Sequence, residues 1–131
     1  MKEKIKVLIA KPGLDGHERG ARVLTLGLRD EGMDVVYTGL RKTPEEIVER
    51  AIKEKADAIG MSILSGAHKE LLPRVVELAK KKGLNKVLFM AGGNIPDEDV
   101  PFLKEKGIHE VFDQGSTIKE VADYIQQNVK S

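Results

Sequence analysis

Ile5-Lys6-Val7-Leu8-Ile9-Ala10, halted by Lys11-Pro12-Gly13, is the stretch that decides the fold. A short apolar run rich in β-branched residues, closed by Pro and Gly, reads as a strand buried on both faces, and such strands belong to parallel sheets covered by helices. The chain beyond it alternates accordingly. From about Glu18 to Glu31, Ala21, Leu24 and Leu28 recur at helical spacing until Gly32 supplies a stop. Asp34-Val35-Val36-Tyr37-Thr38 is a second strand. Thr43, Pro44 and Glu46 then stand at the N-cap, first-turn and capping-box positions of a helix with Ile47, Val48, Ala51 and Ile52 on one face. Ala58-Ile59-Gly60-Met61-Ser62-Ile63 is a third strand, and His68 to about Lys82 a third helix, with Pro73 in its tolerant first turns and Gly83 at its end. Lys86 to Ala91 forms strand four and breaks at Gly92-Gly93. A short helix from Asp97 to about Lys106, the strand Glu110-Val111-Phe112 and a last helix from about Ser116 to Val129 complete the series.

Five strands alternating with five helices predict one α/β domain over residues 1–131, a doubly wound, Rossmann-like parallel sheet. The strand count and the short first crossover favour the flavodoxin-like order 2-1-3-4-5. In that order the chain reverses between strands one and three, so the ligand crevice lies beyond their carboxyl ends, at residues 11–20 and 62–67.

Composition narrows the chemistry. The 131 residues include no cysteine, which removes disulfides, thiolate catalysis and iron–sulfur ligation, and cytoplasmic residence is the expectation. A formal net charge of +1 gives no electrostatic reason for a nucleic-acid or membrane partner, and the charged start Met1–Lys6 precedes no apolar stretch long enough for a signal peptide or membrane span. Of the three histidines, His68 reads as an exposed first-turn residue beside the crevice mouth, and His109, at the amino-terminal edge, carries no assigned role. His17 is different.

His17 sits in Lys11-Pro12-Gly13-Leu14-Asp15-Gly16-His17-Glu18-Arg19-Gly20, a long strand-to-helix loop. Neither Gly-x-Gly-x-x-Gly nor a Gly-Lys-Ser/Thr ending is present, so a nucleotide phosphate loop is disfavoured. Asp15-x-His17 suits a metal ligand, because a carboxylate that accepts the proton of one imidazole nitrogen fixes the tautomer and raises the basicity of the other. The same spacing also suits a plain helix-starting turn, and turn chemistry of that kind is common. Gly92-Gly93 likewise fits either a strand-ending turn or a place where a ligand comes close to the backbone.

Asp15-x-His17-x-x-Gly20, then Ser62-x-Leu64, then Gly92-Gly93 resemble the three-part signature of cobalamin-binding domains in adenosylcobalamin-dependent mutases and corrinoid methyltransferases. The stretch from Lys11 to Val23, the run Gly66-Ala67-His68-Lys69, the turn Gly92 to Pro96 and the strand Val111-Phe112 resemble in particular the C-terminal domain of methylmalonyl-CoA mutase. The resemblance implies adenosylcobalamin bound with its dimethylbenzimidazole displaced, His17 as the cobalt ligand, Asp15 as its hydrogen-bond partner and Lys11 as third member of the relay. It implies a cofactor-binding set of Gly13, Leu14, Asp15, Gly16, His17, Arg19, Gly20, Ser62, Leu64, Gly92, Gly93, Gly115 and Thr117. Within that set Ser62 offers a hydroxyl to the nucleotide tail, Leu64 a wall to the benzimidazole, and the two glycines room. Asp113-Gln114-Gly115-Ser116-Thr117 departs from the Gly-Pro-Gly-Thr often found after the fifth strand, keeping the glycine and a hydroxyl but placing an acidic residue in the loop.

The resemblance further implies an isomerase subunit, inactive without a large barrel-bearing chain that binds the acyl-CoA. Methylmalonyl-CoA is the first substrate expected, with isobutyryl and 2-hydroxyisobutyryl thioesters open. The alternative is a corrinoid methyl carrier, which shares the three motifs but usually has a helical cap ahead of them. A signalling receiver would need an acidic pair, an aspartate and a lysine where this chain has Ala10-Lys11, Ser62 and Asp113. A flavin carrier would need a Ser/Thr-rich phosphate loop after strand one, and residues 11–16 contain neither residue.

Overall fold

The computed structural model describes residues 4–11, 19–39, 42–63, 68–93, 95–112 and 116–129. Strand β1 (Lys6–Ala10) leads to helix α1 (Arg19–Asp30), β2 (Asp34–Tyr37), α2 (Pro44–Glu54), β3 (Ala58–Ile63), α3 (His68–Lys81) and β4 (Leu88–Gly93). A 3-10 turn (Asp97–Asp99) runs into α4 (Val100–Glu105), and β5 (Glu110–Phe112) and α5 (Ile118–Asn128) follow. The five strands form one parallel sheet in the order β2-β1-β3-β4-β5, the flavodoxin-like order expected from the alternation.

That order divides the helices. The chain steps outward from β1 to β2, then returns across to β3 and beyond, and right-handed crossovers put the helices before and after the reversal on opposite faces. Strand residues sort by parity to match. Leu8, Ala10, Ile59, Met61, Ile63, Phe89 and Ala91 share a buried cluster with residues of α2, α3 and α4. Val7, Ile9, Ala58, Leu88 and Met90 share another with Ala21 and Leu28 of α1 and Val121, Ala122 and Ile125 of α5. Helices α1 and α5 touch at Gly27, where an added Cβ would run into the Ile118 side chain.

Both predicted helix starts that carry a threonine are closed by reciprocal hydrogen bonds. The Glu46 amide donates to Thr43 Oγ1 at 3.1 Å and the Thr43 amide to Glu46 Oε1 at 2.9 Å. Thr117 and Glu120 repeat the arrangement at 3.1 and 2.8 Å. Among the described residues no helix is long and apolar enough to cross a membrane.

Three local expectations change. Strand β4 spans Leu88–Gly93 rather than residues 86–91, because β3 continues to Ile63 and offers Gly92 and Gly93 partners in Ser62 and Ile63. Pro73 lies past the first turn of α3, and the helix continues through it on the burial of Leu72, Val75, Val76 and Ala79. His109 does have a structural part. The Phe89 amide donates to its Nδ1 at 2.9 Å, so Nδ1 is unprotonated, and the imidazole stacks on the Phe89 ring at 6.1 Å.

Candidate functional site

The α1/α5 face of the sheet is not filled at its carboxyl end. Side chains at Ile9, Met90 and Phe112 would ordinarily be matched by large neighbours on β3 and β4, but that face carries Gly60, Ser62 and Gly92. The result is a slot of about 410 Å³ between the sheet and helices α1 and α5, within the range of about 300–1,000 Å³ usual for small-molecule sites. Arg19, Gly20, Leu24 and Leu28 of α1 form one wall, and Ser116 and Val121 the wall at α5. The slot is lined by Ile9 of β1, Gly60, Met61 and Ser62 of β3, Met90 to Gly93 of β4 and Phe112 of β5; of the crevice expected at residues 11–20 and 62–67, residues 12–18 and 64–67 lie outside the described residues.

The two adjacent glycines of β4 serve different ends. At Gly92 an added Cβ would stand 3.4 Å from the Phe112 carbonyl oxygen, an ordinary contact, and further atoms would extend into the slot. At Gly93 the backbone φ is +117° and a Cβ would collide with the Ile63 carbonyl oxygen. Gly93 is therefore already required by the pairing of β3 with β4, a reason that does not apply to Gly92. Gly20 is open as well, since a Cβ there would meet nothing within 4 Å. Gly60 was not foreseen as a site residue. Its missing side chain lets Ile9 Cδ1 and Met90 Cε close over it, and the only signal for it was a glycine inside a buried strand.

Of the sequence-predicted set, the slot gathers Arg19, Gly20, Ser62, Gly92 and Gly93. Thr117 lies on a neighbouring hollow between α1 and α5, and its hydroxyl already accepts the α5 capping bond. Gly13, Leu14, Asp15, Gly16, His17, Leu64 and Gly115 lie outside the described residues, as does the departure at Asp113-Gln114. Lys11 is described and fully buried at the end of β1, and it is not without a partner. A lysine with no exposure keeps its charge only where interior acceptors surround it.

His68 departs from its expectation. It is 4% exposed, not a surface first-turn residue, and its Nε2 lies 2.7 Å from Asp99 Oδ2. An ionised carboxylate only accepts, so Nε2 carries the proton. This bond joins the start of α3 to the 3-10 turn after β4, and Lys69 Nζ adds a weaker contact to Asp99 at 3.6 Å. The hydrogen bond from His68, aided by the Lys69 charge, holds the Asp99 carboxyl below its ordinary value of 3.8. A folded-state pKa below the unfolded one stabilises the fold above the unfolded value, and that contribution disappears as pH falls through the folded value. Asp99→Asn should therefore unfold more readily than the parent near neutral pH, with the difference closing below about pH 4. Urea midpoints measured across that range check it; a gap that stays constant with pH would show that the Asp99 charge contributes nothing.

The family described as "B12 binding domain" matches residues 5–122. The chain is 43% identical over 125 residues to the 2-hydroxyisobutanoyl-CoA mutase small subunit of Aquincola tertiaricarbonis, covering 95% of this chain and 92% of that one. It is 38% identical over 120 residues to the methylmalonyl-CoA mutase of Cereibacter sphaeroides, covering 92% of this chain but only 17% of that longer protein. A cobalamin-binding protein from Desulfitobacterium hafniense shares the fold with a TM-score of 0.84 and 19% identity, over 98% of this chain and 60% of that one. The monomethylamine corrinoid protein of Methanosarcina barkeri shares it at 0.72 and 24%, over 93% of this chain and 57% of that one.

Proposed function

Because this chain belongs to the B12-binding domain family, we propose that it is the cobalamin-holding subunit of an acyl-CoA mutase whose substrate site lies on a separate large chain. The observation that carries the reading is the slot on the α1/α5 face, lined by the apolar side chains of Ile9, Leu24, Leu28, Met90 and Phe112 and bordered by Arg19 and Gly20 at the start of α1. It suits a displaced dimethylbenzimidazole and its nucleotide tail. The match across 92% of a mutase small subunit supports the two-chain arrangement over a methyl carrier.

His17 would then be the residue that holds the cobalt. Asp15 accepts the proton of the other imidazole nitrogen, which keeps the tautomer fixed and the ligand basic. Buried Lys11 steadies the Asp15 carboxylate. Ser62 offers its hydroxyl to the tail, while Ile9, Leu28, Met90 and Phe112 exclude water from the base. When bound as the adenosyl form, the cofactor supplies a carbon radical by homolysis of its cobalt–carbon bond, and the protein contributes orientation and shielding. Selection among acyl-CoA substrates, methylmalonyl and 2-hydroxyisobutyryl among them, belongs to the large chain.

An absorbance titration with hydroxocobalamin tests the ligation, with His17→Ala as control. The parent chain should develop the histidine-ligated, base-off spectrum, and the variant should not. Binding in that form should weaken as pH falls through the imidazole range, about 6–7, since a protonated ring cannot ligate. A parent and variant with the same spectrum would remove His17 from the cobalt. Mutase activity with adenosylcobalamin should be absent for the chain alone and arise on adding a mutase large subunit; methyl transfer from the loaded chain to a thiol acceptor would instead identify a carrier.

A further inference from the structure

The slot does not end at its wall. Between the first turn of α1 and the start of α5 it adjoins a second hollow of about 410 Å³, and Arg19, Gly20, Leu24, Ser116 and Val121 border both. Gly20 lies on the boundary of the two, and a Cβ there would meet nothing within 4 Å. Polarity along this continuous space is uneven. Its inner end is apolar, whereas Arg19 and Ser116 stand together at the shared rim. Arg19 is exposed, and among the described residues no hydrogen bond or ion pair engages its guanidinium. Arg29 of the same helix differs, being tied to the Val35 carbonyl at 2.9 Å.

A ligand that fills this space has an apolar end inside and an anionic group at the rim. Resting on the reading of the slot as the seat of the nucleotide tail, we infer that Arg19, with Ser116 beside it, binds the tail's phosphodiester where the two hollows meet. Arg19 thereby becomes the residue that distinguishes a complete cobalamin from a cobinamide, which has the corrin but no tail. A guanidinium presents paired N–H donors that match two phosphate oxygens, and a fixed positive charge strengthens each bond. The rim position leaves the base free to reach the apolar end, with the ribose between them.

The test measures cobalamin and cobinamide binding to the full-length chain by absorbance titration, for the parent, Arg19→Gln, Arg19→Lys, Ser116→Ala and Arg22→Gln. The parent should prefer cobalamin. Arg19→Gln should weaken cobalamin binding about tenfold and leave cobinamide unchanged, Arg19→Lys should recover part of the loss, and Ser116→Ala should show a smaller loss of the same kind. Arg22→Gln, on the same helix and outside both hollows, should match the parent. Circular dichroism melts check that Arg19→Gln folds, as expected for an exposed side chain. If Arg19→Gln keeps the parent's preference, or loses affinity for both corrinoids equally, the phosphodiester contact is overturned while the slot stands. If the parent itself binds cobinamide as tightly as cobalamin, the tail does not use the slot, and the reading on which this inference rests fails first.

Discussion

Gly92→Leu is expected to leave the chain folded and to abolish its hold on cobalamin. The new side chain begins 3.4 Å from the Phe112 carbonyl oxygen, close to an ordinary van der Waals distance, and Gly92 has no left-handed backbone to defend. It then extends into a slot of about 410 Å³, which has space for it, so the melting temperature should move by only a few degrees. The cofactor's base competes for that same volume. A planar bicyclic group buries on the order of 150–200 Å², and at roughly 25 cal/mol per Å² its exclusion costs about 4–5 kcal/mol. Affinity should therefore fall on the order of a thousandfold. Titration with hydroxocobalamin and a thermal melt of the same preparation measure both quantities. A leucine variant that binds as the parent does would place the base elsewhere.

Gly93→Ala, one residue further along the strand, should have the opposite profile. Its Cβ is aimed at the Ile63 backbone across the β3–β4 pair, and φ of +117° disfavours any side chain. Neither strand can yield, because both are central and β3 is held between β1 and β4. The strained backbone and the collision together should cost about 3 kcal/mol or more, a large part of the roughly 5–15 kcal/mol that holds a domain together. Urea unfolding should show the loss directly, without cofactor. An alanine variant as stable as the parent but defective in binding would return Gly93 to the role of making room for the ligand.

These neighbours mark where reading a linear chain stops. A pair of glycines at a strand end signals close approach by something. Whether that something is a ligand or the next strand depends on φ and on register, neither of which is local. Gly60 illustrates the same limit, since its purpose depends on Ile9 and Met90, which arrive from β1 and β4. His68 looked like a surface residue because helix starts favour polar groups. Its burial depends on Asp99, 31 residues away, being carried onto it by the turn after β4. Arg19 and Ser116 are ordinary until two helices bring them to one rim.

What the sequence determined by itself is the kind of sheet and the order of its strands. Apolar runs at strand length, helices at 3.6-residue spacing and threonine caps are local patterns, and Thr43 and Thr117 cap their helices by bonds to residues three positions on. The strand order follows from them through connection length and handedness, so β2-β1-β3-β4-β5 was legible before any coordinates. The spacing Asp15-x-His17 belongs to the same local kind. Only the tertiary structure decided that there is a slot, how deep it is and which glycines create it. Those are properties of the gap left when a sheet and two helices pack, and a gap is set by residues far apart in the chain.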